Sequence, residues 1–576
     1  MAMATAKSFA AWRSCCGDCG TRAGARGQGG RAGMRVGILE LLVQPTRRPG
    51  LLLYHFLLTK QYASITPQTI SVWCRQLGHS AHYATYYGWG DPRRLLPDDL
   101  DVVFISSYTQ VSQLAYALAK VYRQRGTLTV LGGPHVKAFP QDAVRFFDLV
   151  VKECDKELIA DILAGRFDRG SVISSEKPFE EVPSVAERMP EIRASAFLWN
   201  RKRFFMTTVP MLASTGCPYD CRFCIDWNTP FRLLSMDRLV EDVAFLSREL
   251  PGTMMAFHDP NFGVKLDEVL SALETAPPGR RVPYVMESSL SILRGERAER
   301  LGQTNCLVVA PGVESWNEFS KKAAAGRLSG RAKVDRVVEQ FENLYRHVPY
   351  LQANLMLGLD TDQGTEPVEL TKHFMTRTPF VWSVVNIPHP FGGTPLFDEY
   401  LSDGRILQAM PFSFYYSPYL VTTLRHYDPI TFYRHLVDIF EHATSSAMLR
   451  RRLASTTRTS VRIMHWTRTI GMRTKISHFR ALIAMLEADR QFRAFHEGLS
   501  PTLPEFYHRE YERMLGPYAP LMSRADRTPV LDGDPAVVPA PAPAPSPRPP
   551  QLGRRPLGLP ARLLAQPAAQ GSPLLK

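Results

Sequence analysis

Residues Ser214–Asn228 read STGCPYDCRFCIDWN, and three of the chain's nine cysteines fall in that stretch, spaced Cys-x3-Cys-x2-Cys at Cys217, Cys221 and Cys224. A structural zinc site takes four ligands, usually as two pairs. No second Cys or His pair stands at zinc spacing nearby, and His258, the next histidine downstream, is alone. A cubane iron–sulfur cluster usually takes four cysteines. Three would leave one iron free to bind something else, which is a catalytic arrangement. The alternative is a redox or structural site whose fourth ligand is distant, such as Cys306.

Around this stretch the chain has the length for two or three cored domains, with 576 residues, 45% apolar and 22% charged. Its net charge of +14 favours anionic partners. The remaining cysteines are too scattered for a secreted disulfide framework, so a reducing cytoplasm is expected. No run of eighteen apolar residues occurs, and residues 51–58 are much too short to span a bilayer. Residues 1–33, rich in Gly, Arg and Ala and carrying Cys15, Cys16 and Cys19, read as a flexible extension or an overlong start without a signal-peptide pattern. Residues 526–576 contain PAVVPAPAPAPSPRPP and read as a disordered Pro/Ala-rich tail.

Downstream of the cysteines the elements alternate as in a βα barrel. Ser235 can cap a helix in which Leu239, Val243 and Leu246 repeat at helical spacing. Residues 253–257 read as a buried strand ending in His258-Asp259-Pro260-Asn261. The same strand-then-polar pattern recurs at 307–315, 353–360 and 384–395, where barrels place their sites.

The cysteine spacing, with an aromatic before the last cysteine (Phe223) and the run Thr215-Gly216-Cys217-Pro218, resembles the signature of the radical S-adenosylmethionine (SAM) superfamily. That resemblance implies a [4Fe-4S] cluster on Cys217, Cys221 and Cys224, with SAM chelating the fourth iron and being reductively cleaved to a 5′-deoxyadenosyl radical. It carries over SAM contacts to Phe223, to Asp259 and Asn261, to Glu314 and Ser315 of a Gly-Val-Glu-Ser run, and to Gly392 of a Pro-Phe-Gly-Gly-Thr-Pro turn. Leu357-Gly358-Leu359 resembles a Gly-Leu-Pro motif in which Asp360 replaces the proline.

Residues 34–169 alternate strand and helix, which implies an open doubly wound parallel sheet. Strands are expected at 35–42, 101–107, 127–132 and 149–151, with helices at 70–77 and 111–125. This part resembles the cobalamin-binding domain that precedes many radical SAM barrels, through Gly132-Gly133-Pro134-His135 and Phe139-Pro140. The resemblance implies cobalamin contacts at Ser106, Ser107, Gly132, Gly133 and His135, the last not as a cobalt ligand. The family's Gly-Glu-Gly-Glu segment is replaced by Lys152-Glu153-Cys154-Asp155-Lys156-Glu157.

The expected organisation is therefore an α/β chain: extension 1–33, cobalamin-binding-like sheet domain 34–169, linker 170–204, partial (β/α)6 TIM-type barrel 205–398, helical C-terminal domain 399–525 and tail 526–576. The expected activity is a radical SAM enzyme, most readily a cobalamin-dependent methyltransferase acting on an unactivated carbon. Oxidative cyclisation or rearrangement on the same architecture is the alternative, and a non-catalytic metal-binding protein a further one. Expected partners are a small-molecule or lipid-like substrate and an external electron donor such as flavodoxin or ferredoxin, with no specific nucleic acid. Residues 450–480 hold nine basic residues and no acid, ordinarily a solvated face and otherwise a candidate peripheral membrane contact.

Overall fold

The computed structural model describes residues 33–175, 179, 181–198, 201–203, 207–319, 323 and 325–531. The expectations for 1–32, including Cys15, Cys16 and Cys19, and for 532–576 lie outside the described residues.

The first sheet has six parallel strands: β1 (Arg35–Leu41), β2 (Ser80–Tyr86), β3 (Val102–Ser107), β4 (Leu128–Gly132), β5 (Leu149–Val151) and β6 (Ser171–Ile173). They lie in the order β2-β1-β3-β4-β5-β6. Period-2 alternation buries both faces: Val36 and Ile38 of β1 enter one core, Leu39 and Leu41 the other. Sheets of this winding bind ligands at their carboxyl edge, where the strand order reverses between β1 and β3.

The second sheet starts with β7 (Thr208–Met211). A short antiparallel pair follows, β8 (Ser214–Thr215) with β9 (Arg232–Leu233), and the cysteine stretch is the loop between them. Then come β10 (Met254–Phe257), β11 (Tyr284–Met286), β12 (Cys306–Val309), β13 (Gly312–Glu314), β14 (Tyr350–Met356) and β15 (Val381–Asn386). The ladder runs β7-β10-β11-β12-β14-β15 with every pairing parallel, and β13 pairs beyond a break at Ala310-Pro311. Six positions around an unclosed ring make the partial barrel. Its helices include Met236–Glu249, where the Ser235 side chain accepts from the Arg238 amide at 3.2 Å.

Several expected boundaries move. Residues 170–204 are not a linker throughout: they supply β6 and the helix Met189–Ala196, whose Glu191 accepts from Ser71 at 2.7 Å. The tail does not begin at 526. Asp526 closes a capping box with Ser523 and pairs with Lys120 at 2.7 Å, and the Val530 amide donates to Asp142. Helix Pro395–Ser402 runs across the expected barrel end at 398. The described residues from Met34 to Leu531 belong to one compact unit, and a single core holds Ile105 of the sheet, Leu351 of the barrel and Phe432 of the C-terminal helices.

The 30-residue helix Thr459–Ala488 closes the barrel. On β14, Leu351, Ala353 and Leu355 pack outward with the flanking helices, so Tyr350, Gln352 and Asn354 face the lumen. Val461 and Met472 of the long helix pack there on Tyr350 and Trp382. Arg468 donates to Gln352 Oε1 at 2.7 Å and lies over the Tyr350 ring, 5.3 Å from its centroid.

Candidate active site

The three cysteines sit on one loop whose two ends are pinned by β8 and β9. Gly216 opens it at φ +67°, a left-handed conformation that glycine adopts without penalty. A Cβ there would collide with the Pro230 carbonyl and lie 2.8 Å from the Thr229 oxygen. The Cys217 amide donates to Thr229 O at 3.1 Å and the Cys224 amide to Cys221 O at 3.0 Å, so the loop is closed by its own backbone. Cys217 and Cys221 are buried, Cys224 is half-buried and none is in a disulfide.

Polar groups at neighbouring strand ends hold this loop. Asp259, after β10, accepts from the Ala213 amide at 3.1 Å and the Ser214 hydroxyl at 2.6 Å. Burial pushes its carboxyl up to about 6 against those hydrogen bonds. Asn261 donates to Ser289 Oγ at 3.1 Å and accepts from the Gly263 amide at 3.3 Å, tying the β10 end to β11. His258 beside them is held neutral, its pKa pushed down to about 4 by burial.

On the opposite wall Phe223 stacks on Phe319 with centroids 5.3 Å apart and planes at 17°. Glu314 is buried at φ +66°, a strained position for a non-glycine residue and of the kind that clusters at functional sites. Ser315 is buried and accepts from the Asn317 amide at 3.1 Å. Lys333 lies within electrostatic reach of Glu314, and burial lowers its ammonium to about 8.

Gly392 sits where barrel and sheet domain meet. A Cβ on it would collide with the Ala138 carbonyl and come within 3.0 Å of the Phe139 ring. The same turn grips the cysteine loop: Trp227 Nε1 donates to Gly393 O at 2.6 Å, and the Leu396 amide donates to Arg222 O at 3.0 Å. Lys137 completes the joint, 2.6 Å from Glu153 and 3.3 Å from Asp226. Burial alone would lower the Lys137 ammonium, but the two carboxylates outweigh it and raise it. Trp227, Asp226 and Lys137 carried no local signal in the sequence for this joint, since the contacts of Lys137 with Asp226 and of Trp227 with Gly393 span 89 and 166 residues.

At the sheet edge, the Gly132-Gly133 turn packs on the end of β3: a Cβ on Gly133 (φ +96°) would lie 2.9 Å from Ser106 Oγ and 3.0 Å from the Ser107 backbone. Ser107 is buried and donates to Tyr108 O. His135 is fully buried, hydrogen-bonded through Nε2 to Tyr116 (2.5 Å) and through Nδ1 to Thr109 (3.4 Å). Burial pushes it down to about 3. It is a packed core histidine beneath the turn, so it does not reach a ligand above the sheet. Gln44 Oε1, above the end of β1, is buried without a hydrogen-bond partner. An acceptor left open beside the β1/β3 switch point fits a polar ligand there.

Three thiols on one loop closed by its own backbone are a donor set that fits an iron–sulfur cubane, which spreads its thiolates over separate irons. Cys306 is no fourth ligand: it starts β12, whereas the loop follows the end of the parallel strand β7, so the two lie at opposite ends of the barrel.

Residues 211–371 match the family model of the radical SAM superfamily. Among curated proteins, the chain is 24% identical over 318 residues to bacteriochlorophyllide d C-12(1)-methyltransferase of Chlorobaculum tepidum, covering 53% of this chain and 67% of that one. It is 24% identical over 379 residues to the C-8(2)-methyltransferase of the same organism, covering 62% and 80%. Among solved structures, the cobalamin-dependent SAM radical enzyme OxsB with aqua-cobalamin bound superposes with a TM-score of 0.52 at 11% identity, over 84% of this chain and 75% of that one. At that identity the likeness shows a shared fold.

Proposed function

We propose that this chain, whose residues 211–371 match the radical SAM family model, is a cobalamin-dependent radical SAM methyltransferase acting on an unactivated carbon of a small or lipid-like molecule. The observation that carries the reading is the thiol loop itself. It holds three unbridged cysteines without a fourth, and the sheet domain clamps it through Lys137, Ala138 and the 392–396 turn. The methyltransferase names of the two relatives support the reaction class.

Cys217, Cys221 and Cys224 would hold the [4Fe-4S] cluster, and the carboxyl edge of the first sheet, with Ser106, Gly132 and Gln44, would hold cobalamin. When bound, the cluster supplies one-electron reduction of SAM and cobalamin supplies a methyl carrier. The chain's own residues do the rest. Asp259 fixes the start of the thiol loop rather than meeting SAM with a free carboxylate. Phe223 and Phe319 offer an aromatic wall beside the last cysteine. Glu314, held at its strained backbone, presents a buried acceptor for the SAM ribose or amino group. The helix Thr459–Ala488, through Val461, Arg468 and Met472, covers the lumen at the end away from the thiol loop and so keeps water from entering the barrel there.

A second reading, the same architecture without methyl transfer, has one observation in its favour. The segment 152–157, where the family has glycines, is engaged internally: Asp155 caps the helix Lys156–Leu163 at 2.8 Å and Glu153 pairs with Lys137. A sheet that had lost its ligand would look like this. Metal content of anaerobically reconstituted protein supplied with cobalamin separates the two. About four irons and about one cobalt per chain are expected. Iron without cobalt selects the second reading. Cys221→Ala is expected to abolish both iron binding and SAM cleavage, and retained cleavage would sink the site assignment.

A further inference from the structure

Twelve large apolar side chains are exposed among the described residues, and eight of them fall in two short stretches. Leu51, Leu53, Tyr54 and Tyr62 lie on or just after the helix Pro49–Leu57, whose sequence PGLLLYHFL has no buried residue at all. Ile463, Met464, Trp466 and Ile470 lie on the outer face of the helix Thr459–Ala488. Ile463, Trp466 and Ile470 follow helical spacing, opposite Val461, His465 and Thr469, which point inward. The two stretches lie at the same end of the barrel: Gln61, beside Tyr62, accepts from the Thr208 amide at the start of β7 at 3.0 Å, and Val461 packs on Tyr350 at the start of the parallel strand β14. Beside them an open apolar groove of about 490 Å³ is lined by Leu453, Ala454, Arg462, Ile463 and Trp466.

The two chain segments of this face carry one sign of charge, and the acids that border them, Glu441, Glu487 and Glu510, are each paired with an arginine. Residues 41–90 and 442–486 contain no Asp or Glu, while Arg47 and Arg48 precede the first helix. Arg458, Arg462 and Arg473 are exposed along the second. Other arginines expected to form a basic patch are engaged elsewhere: Arg452 is buried under Trp382, Arg468 faces the lumen, and Arg480 forms a surface ion pair with Glu441. What remains outside is leucine, isoleucine, tryptophan and tyrosine within a rim of arginine.

We propose that this face, formed by the helix Pro49–Leu57 and residues 463–470, docks the enzyme on an anionic lipid bilayer. Apolar side chains reaching the acyl boundary, aromatic residues at headgroup level and arginines on phosphate are the composition of an interfacial anchor. A second copy fits poorly, because a two-fold contact would set the unpaired arginines of this face against one another and oppose like charges. An acidic electron donor fits poorly too. The face borders the start of β14, where Tyr350 meets the long helix, and the thiol loop follows the end of the parallel strand β7 at the other end of the barrel. No described helix is long and apolar enough to cross a membrane, so the contact is peripheral.

Sedimentation of the full chain with phosphatidylglycerol/phosphatidylcholine vesicles tests this. Wild type is expected to pellet with these vesicles and to stay in solution with phosphatidylcholine alone. The double variant Leu53→Glu/Trp466→Glu should bind at least about ten-fold more weakly, and Arg458→Glu/Arg462→Glu should fall to the neutral-lipid level. Leu53 and Trp466 are exposed, so thermal unfolding should be unchanged in the first variant; Arg462 also donates to the Leu453 and Thr456 carbonyls, so Arg458→Glu alone, expected to weaken anionic-vesicle binding without changing unfolding, is the control for the second. Brominated acyl chains should quench wild-type fluorescence more than that of Trp466→Phe. The proposal is overturned if wild type does not pellet with anionic vesicles, or if the double variant binds as wild type does. Concentration-dependent dimers that Trp466→Glu dissolves would overturn it as well, since a second copy would then be the occupant.

Discussion

The molecule has two carboxyl edges, one on the open sheet and one on the barrel, and they are built differently. At the barrel edge, side chains do the holding: Asp259 on Ser214, Asn261 on Ser289, Trp227 on Gly393. At the sheet edge the holding is done by backbone at close range, with Gly133 against Ser107 and the nearest histidine folded inward. A cluster on three thiolates needs a loop fixed in shape, whereas a broad flat ligand needs an edge that the backbone keeps low, with only an isolated polar group such as Gln44 above it. The contrast teaches that a bare edge is as specific a construction as a crowded one.

Breaking the crowded edge should have the largest effect. Gly216→Ala forces a Cβ into the Pro230 carbonyl at a positive φ, and we expect a cost of about 4 kcal/mol together with loss of bound iron. Urea unfolding of the apo-protein and iron analysis after reconstitution check the two parts; an iron-replete variant would mean the loop shape is not what the cysteines require.

The sheet offers the next effect, through pH. Glu40 on β1 is buried, and its pKa is raised from 4.5 to about 7 chiefly by desolvation. The folded state therefore binds this proton more tightly than the unfolded state. Its contribution is fully present below pH 4.5 and falls as pH rises toward 7, by about 3 kcal/mol in all. Glu40→Gln has no such proton, so its stability relative to wild type should rise across that window. A parallel pair of stability-versus-pH curves would show that Glu40 is not desolvated.

Gly392→Ala tests the joint between the edges. Its Cβ meets the Ala138 carbonyl, and a cost of about 2 kcal/mol is expected, with weaker cobalamin retention on gel filtration. Smallest is Trp227→Phe, which leaves the Gly393 carbonyl without its indole donor and should cost about 1 kcal/mol in thermal unfolding.

Much of this was legible in the sequence where the signal is local. The β3 and β5 strands stand within one residue of expectation because each is a short apolar run bounded by turns. The thiol loop announces itself by spacing. The half-exposed strand β2, SAHYATY, gave no alternation to read, and β6 is only three residues long. The helix Pro49–Leu57 is apolar on every side and so carries no periodicity. The partners of Asp259, Trp227 and Lys137 are set by the closure of the chain on itself, which no window of sequence contains.

The turn at 390–396 has a consequence for recombination. It touches the thiol loop through Gly393 and Leu396 and the sheet domain through Gly392. A sheet domain borrowed from a relative would meet this barrel correctly only if the graft brought its matching turn, although the two lie some 250 residues apart in the chain. The unit of inheritance here is the sheet together with that turn, and a library of chimaeras cut only at 175–207 would be expected to fail at this point first.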